Sequence, residues 1–466
     1  MKNSYLYIVF LLFINFILSE TVIAQSKSII EFGWDYPTVH QLSNRLPKMQ
    51  NTPMDGICFS FQNRIMEAFD TENYPDSFFR YDLLQKLPWG RYKSNYVILR
   101  GFSKTGGNWL NDLAWLQIVN NIEHLSKALA IGKIEGILFD AEYYYDNPLM
   151  NPWTYSKQQY PNQSFETVKA AVQKRGIQFV KALQKSKTNI SFLSIWLTSL
   201  VVEDLKLKPL AETRHALLIS FIEGMLIGQT KGLKMIDGNE YAYWYIRPSL
   251  FVNSEKRIRQ SFENLASTPA IKKMGAQITT SQPIFYDGLM ARHTSFDKGV
   301  SYPFRWNWLQ ENLKFALATS SSNIVWWYSE RYNWWAEPSN DTLVSLIKNV
   351  KASFGATNTL AKSKTASDNI NTGVATFYHI DPRKPMQLGD TAFRFNYNKR
   401  KQQIEFWFSK KRPISLEIFF NQKLVQELNP TALKEKVSCR QFKNGTLILL
   451  AKYEGDWESC GIQIIK

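Results

Sequence analysis

Cysteine is nearly absent, with three residues in 466 and no C-x-x-C pair. That excludes a disulfide scaffold and a cysteine zinc site. Histidine is almost as scarce. The five (His40, His124, His215, His293 and His379) are scattered, with no H-x-H or H-E-x-x-H spacing, so no metal or cofactor is expected. The chain also lacks a G-x-S-x-G elbow, a P-loop and a glycine-rich phosphate turn. Acidic residues are outnumbered, 40 against 56 Lys and Arg, for a net charge of +16. No dense basic stripe or nucleic-acid motif accompanies that excess, so nucleic acid is not an expected partner. An anionic glycan fits the charge, and so does a merely solubilised surface. The apolar run 7–18 is shorter than the ~20 residues of a membrane span. With Lys2 before it and Val22-Ile23-Ala24 after it, residues 1–24 read as a cleavable signal peptide. The expected product is secreted or periplasmic, with no stable membrane span.

Aromatic side chains are plentiful: 15 Trp, 22 Tyr and 30 Phe in a chain that is 44% hydrophobic, which excludes a disordered protein. Eight apolar, β-branched or aromatic runs alternate with amphipathic stretches. The runs are 29–35, 55–61, 96–102, 134–143, 190–200, 233–241, 275–285 and 324–330; helical patterns cover 109–130, 164–185, 211–227, 254–266 and 306–319. Strands alternating with helices imply parallel βαβ units, and eight of them imply an α/β fold closed as a (β/α)₈ TIM barrel over residues 25–355. A doubly wound open sheet competes, but its phosphate turn is missing: the first run ends in Trp34-Asp35-Tyr36-Pro37. Residues 356–372, rich in Ser, Thr, Lys and Asn, read as a linker. Short alternating runs at 376–380, 391–397, 403–408, 415–420, 446–451 and 460–465 then predict an all-β sandwich over 373–466. Cys439 and Cys460 could pair within it, whereas Cys58 reads as core.

In such a barrel, chemistry sits at the C-terminal ends of the strands. Carboxylates mark several of them: Asp35, Asp140 and Glu142, Asp237 and Glu240, Asp287, and Glu330. One alone is an ordinary turn residue. Several on one rim repel each other and need a reason to coexist. Asp140-Ala141-Glu142 is the sharpest element, because period-two alternation would put both carboxyls on one face of the strand. Carboxyls that share a proton can divide the work of glycoside cleavage, one protonating the leaving oxygen and the other stabilising or attacking the cationic carbon. Asp237-Gly238-Asn239-Glu240 supplies a second pair, or a simple D-G turn. Indoles stack on sugar rings, so Trp34, Tyr143, Trp244, Trp326, Trp327 and Trp334 are expected at a carbohydrate subsite, with Trp34 and one of Trp326 or Trp327 facing the lumen. Asp35, Asp287 and Glu330 are expected to bind substrate, Glu330 either as a third acid or as an acceptor for sugar hydroxyls. Arg100 reads either as a partner for the rim acids or as a contact for an anionic sugar group.

The run IEGILFDAEY resembles the fourth-strand signature of family 18 glycoside hydrolases, the chitinase-like barrels, D-G-x-D-x-D-x-E followed by Tyr. Gly136, Asp140, Glu142 and Tyr143 match; Glu135 replaces the first Asp and Leu138 the middle one. The resemblance covers about ten residues. It implies Glu142 as general acid with Asp140 as its partner. Asp140 facing Asp237 is also similar to α-galactosidase-like barrels, which would make Asp140 the nucleophile and Asp237 the acid. The expected function is therefore a secreted glycoside hydrolase acting on a polysaccharide or glycan, with Glu142, Asp140, Asp237 and Glu240 as catalytic candidates. The competing expectation is a carbohydrate-binding barrel without catalysis, and a polysaccharide lyase ranks third.

Overall fold

The computed structural model describes residues 27–290, 302–355 and 372–465, less 200, 202–204, 206, 246, 331, 337–339, 375, 380–386, 390–392, 399–400, 409–411, 439–441, 443–444 and 454–456. The expected signal peptide, most of the expected linker and Cys439 lie outside these residues. Cys460 is a free, buried thiol.

Ten strands form the main sheet: β1 (Ser28–Phe32), β2 (Gly56–Phe59), β3 (Met66–Glu67), β4 (Tyr96–Arg100), β5 (Gly136–Asp140), β6 (Ile190–Ser194), β7 (Leu233–Asp237), β8 (Ile278–Thr280), β9 (Gln282–Phe285) and β10 (Ile324–Tyr328). All their pairings are parallel, in the order β8-β7-β6-β5-β4-β2-β1-β10-β9, with β3 beside β4. Only Ser281 separates β8 from β9, so both ends of the path belong to one stretch of chain. The Ser281 amide donates to the Asp237 carbonyl (2.9 Å) and its hydroxyl to the Ile324 carbonyl (2.7 Å). One residue thus joins the seam, and the sheet is a nearly closed barrel. The strands read as near-continuous apolar runs because both faces are covered, the lumen by side chains and the outside by helices.

Local chemistry fixes the helix starts. Thr38 and Gln41 form a reciprocal capping box, while Asn111 and Ser164 accept the amides of Ala114 (3.0 Å) and Thr167 (3.1 Å). The helices Phe165–Leu183 and Leu218–Gly228 cross where Gly176 and Gly224 face each other; a Cβ on either would strike the other helix's backbone. Phe139 turns outward from β5 onto Trp153, Phe192 and Phe221.

Residues 372–465 form two antiparallel sheets. The four-stranded sheet contains β11 (Thr372–Val374), β14 (Phe393–Asn398), β15 (Gln403–Phe408) and β18 (Lys434–Ser438). The six-stranded one contains β12 (Thr376–His379), β13 (Gln387–Gly389), β16 (Ser415–Phe420), β17 (Lys423–Leu428), β19 (Gly445–Tyr453) and β20 (Trp457–Ile465). One apolar cluster, including Phe395, Ile404, Phe406, Ile418 and Leu449, fills the space between them. Phe419, Ile448, Leu450 and Cys460 instead join the barrel's own core. At that junction Glu458 accepts the Ser249 amide (3.1 Å) and hydroxyl (2.7 Å).

Candidate active site

β5 stops at Asp140 because its Oδ1 accepts the Glu142 amide (2.9 Å), which turns the chain. Glu142 therefore lies beyond the strand. A side-chain-to-backbone turn brings the two carboxyls together, not the strand alternation expected from the sequence. Asp140 has no exposed surface, and its Oδ2 makes no hydrogen bond. Burial, reinforced by the Glu142 charge and opposed by the Glu142 amide, Arg100 and Tyr144, pushes its carboxyl up to about 7. The Tyr144 hydroxyl donates to Glu142 Oε2, and Glu142 itself is half-buried.

The end of β7 is built around Asp237. That carboxylate is fully buried; Oδ2 accepts the Leu197 amide (3.0 Å) and Oδ1 the Asn239 amide (2.8 Å). Both oxygens hold backbone, so Asp237 anchors the turn beneath the cleft and does not meet Asp140 across it as an acid. Burial is the main cause of its rise to about 6, countered by those amides. Asn239 adopts a left-handed conformation (φ 49°), and its side chain is fixed by Gln282 (2.7 Å), Tyr245 (3.1 Å) and Arg257 (3.1 Å). A Cβ at Gly238 would strike the Ser194 and Ile195 carbonyls. This tight turn sends Glu240 back toward β5. Burial, then the charges of Glu142 and Asp140, push Glu240 up to about 8. Asp140, Glu142 and Glu240 thus form one electrostatically coupled group at the barrel mouth.

A second acidic group spans β1, β9 and β10. Asp287 Oδ1 accepts the Ser329 hydroxyl (3.0 Å) and Oδ2 the Glu330 amide (2.6 Å), while Glu330 accepts the Tyr328 hydroxyl. Burial first, then the charges of Asp287 and Glu330, push Asp35 up to about 6 against its own backbone amide. Tyr243 and Tyr328, stacked at 5.4 Å, join the two groups; Glu240 perturbs both tyrosines. Trp34, half-buried, meets Tyr144 edge-on at 6.2 Å from the other side.

The remaining aromatic expectations divide. Tyr143 is half-buried and donates to the Asn147 carbonyl (2.7 Å), and Trp244 is 47% exposed beside Phe285. Trp326 does face the lumen, with Nε1 on the Gly238 carbonyl (2.8 Å), but it is 1% exposed. Trp327 points outward onto Tyr286, and Trp334 packs against Trp327; both are 0% exposed. None of these three has a face open to a sugar. They are core, because alternation along β10 decides the side of the sheet and not the depth. Glu67 was not anticipated. It accepts the Tyr145 hydroxyl beside Arg100, and nothing in the two-residue strand β3 announces it. The Tyr143-Tyr144-Tyr145 run was the available signal for that side of the rim. Among the described residues, no group of His, Cys, Asp or Glu is arranged to hold a metal ion.

The sequence matches no protein-family model and no curated protein. Solved structures similar to it include a GH5-4 broad specificity endoglucanase from an uncultured bacterium, at 9% identity and a TM-score of 0.37 over 68% of this chain and 85% of that one. A GH18 chitinase from Pseudoalteromonas aurantia aligns at 13% identity and a TM-score of 0.33 over 69% of this chain and 100% of that one. A D-psicose 3-epimerase aligns at 12% identity and a TM-score of 0.34 over 69% and 89%. The neighbours thus include glycoside hydrolases. At these scores they carry no weight on substrate or on the family 18 resemblance, and the barrel rests on its own strand order.

Proposed function

We propose that this protein is a glycoside hydrolase whose reacting pair is Glu142 and Glu240. The carrying observation is the convergence of Asp140, Glu142 and Glu240 from β5 and β7 at one mouth, each raising or feeling the charge of the others. Glycosidic cleavage needs a proton for the leaving oxygen and a carboxylate near the cationic carbon. Glu240 is only partly buried and holds its proton to about 8, which suits it to the first task. Glu142 is half-buried and oriented by the Tyr144 hydroxyl, which suits it to the second. This assignment moves the acid from Glu142, where the sequence resemblance puts it, to Glu240.

Asp140 has no surface with which to touch a substrate, so it is a positioning residue that fixes Glu142 through its amide. Asp237 lies outside the reacting group. Trp34, Trp244, Tyr243 and Tyr328 offer ring faces and edges for sugar stacking. Export through residues 1–24, and the division into a barrel (25–355) and a sandwich (373–466), belong to the same proposal.

The test is hydrolysis of a glycan panel followed by reducing-end release. Wild type should cleave at least one glycan. Glu142→Gln and Glu240→Gln should each lose about 10²–10⁴-fold in rate while still binding it. Binding without cleavage by wild type would instead make the protein a carbohydrate-binding barrel.

A further inference from the structure

Arg100 closes β4, in register with Asp140 of β5 on one side and Glu67 of β3 on the other. Residues in register on parallel strands point to the same side, so Arg100 stands at the mouth beside the reacting pair. Its guanidinium lies over three rings: Trp34 at 5.6 Å, Phe102 at 5.9 Å and Tyr144 at 5.9 Å. Tyr144 is also the residue that holds Glu142. Ring faces stabilise the flat cation by cation–π attraction but accept none of its five N–H donors.

An arginine kept only to neutralise rim acids would pair with them, and this one does not. Among the described residues, no carboxylate oxygen comes within 4.0 Å of it, and its buried ε N–H has no acceptor. Of the two carboxyls in register with it, Asp140 turns one oxygen to the Glu142 amide and Glu67 turns one to the Tyr145 hydroxyl, and neither pairs with the guanidinium. Arginine is always charged, and a partly desolvated cation with unmet donors is costly to keep. Such a group calls for an explanation.

Resting on the glycosidase reading above, we propose that Arg100 receives an oxyanion carried by the sugar, so that the cleft takes a glycan bearing carboxylates or sulfates. The fork matches either anion in bidentate fashion, and bonds between charged partners are roughly twice as strong as those to neutral hydroxyls. The acids nearby do not forbid this. Burial pushes Asp140 up to about 7 and Glu240 up to about 8, so below neutral pH both are largely protonated and leave the Arg100 charge less opposed. The chain's net +16 adds a long-range attraction of the right sign.

The experiment uses matched glycan pairs that differ only in charge: uronans against their methyl esters, and sulfated galactans against their desulfated forms. Binding to the full chain with Glu142→Gln is read by tryptophan fluorescence, since Trp34 adjoins the site. At least one charged member should bind ten-fold or more tightly than its neutral counterpart, and which pair responds separates carboxylate from sulfate. Arg100→Met should cut that ratio below two, and Arg100→Lys should leave an intermediate value. If Arg100→Met fails to fold, the wild-type ratio and its decline with salt decide the matter. A ratio near one in every pair, or a ratio that survives Arg100→Met, overturns the inference. Cleavage of neutral glycans without charge preference sinks Arg100's role and leaves the reacting pair standing. Charge-dependent binding with no cleavage by wild type does the reverse.

Discussion

Replacing Asp140 with Asn should make the protein more stable at alkaline pH and leave it nearly unchanged in acid. In the folded chain the Asp140 carboxyl titrates at about 7 against an ordinary value of 3.8, chiefly because it is buried. Below pH 3.8 both the folded and the unfolded chain hold the proton, and the site costs nothing. Between 3.8 and 7 the unfolded chain releases it while the fold retains it, so stability falls as pH rises and levels off above 7. Three pK units at 1.36 kcal/mol each amount to about 4 kcal/mol, and relaxation around the site reduces this to roughly 2–4 kcal/mol. Asn keeps an oxygen for the Glu142 amide and carries no charge at any pH. Thermal melts at pH 4 and pH 8.5 provide the assay. Asp140→Asn should match wild type at pH 4 and melt several degrees higher at pH 8.5. An equal shift at both pH values, or a lower melting point at pH 8.5, would refute the account of a carboxyl strained by burial. Because Asn keeps the oxygen that holds the Glu142 amide, the more stable variant should also keep most of its hydrolytic rate, whereas Asp140→Ala, which removes that oxygen, should lose it.

If Glu240 donates the proton, kcat should hold below and decline as pH rises through about 8, and Glu142→Gln, by removing a neighbouring charge, should draw the limb of its residual activity toward lower pH; a limb that stays in place would contradict that coupling. Gly136→Ala would press a Cβ against the Ser191 carbonyl of β6 and should destabilise the barrel by about 1–3 kcal/mol, read as a lower thermal midpoint at every pH.

Much of the barrel was legible because a parallel strand covered on both faces leaves an uninterrupted apolar run. All eight expected runs contain strand, and the seventh, 275–285, contains both β8 and β9. Its break at Ser281 was not readable, since a serine that bridges two neighbours looks like any other. In the C-terminal region, β15 alternates buried and half-buried residues and was found. β17 (KLVQEL) and β18 (KEKVS) are largely exposed edge strands whose charged and polar residues hide any apolar alternation, and were missed. At the site, the sequence identified which strand ends carry acids. It could not tell Asp237, clamped on both oxygens by amides, from Glu240, which faces the cleft, because that difference arises in a left-handed turn at Asn239. The tryptophans show the same limit: composition placed indoles near the rim, and packing withdrew three of them.

The grip of Glu458 on Ser249 means that the C-terminal strands are not detachable cargo. Ser249 lies nine positions downstream of Glu240, so the last strand braces the segment that follows Glu240. Trimming the gene to the barrel would bare a greasy wall where Phe419, Ile448 and Leu450 had sat, and the shortened product should aggregate more readily than the whole chain. Recombining this barrel with foreign appendages would meet the same obstacle, and sequence drift in β19 or β20 can reach the barrel mouth through that brace.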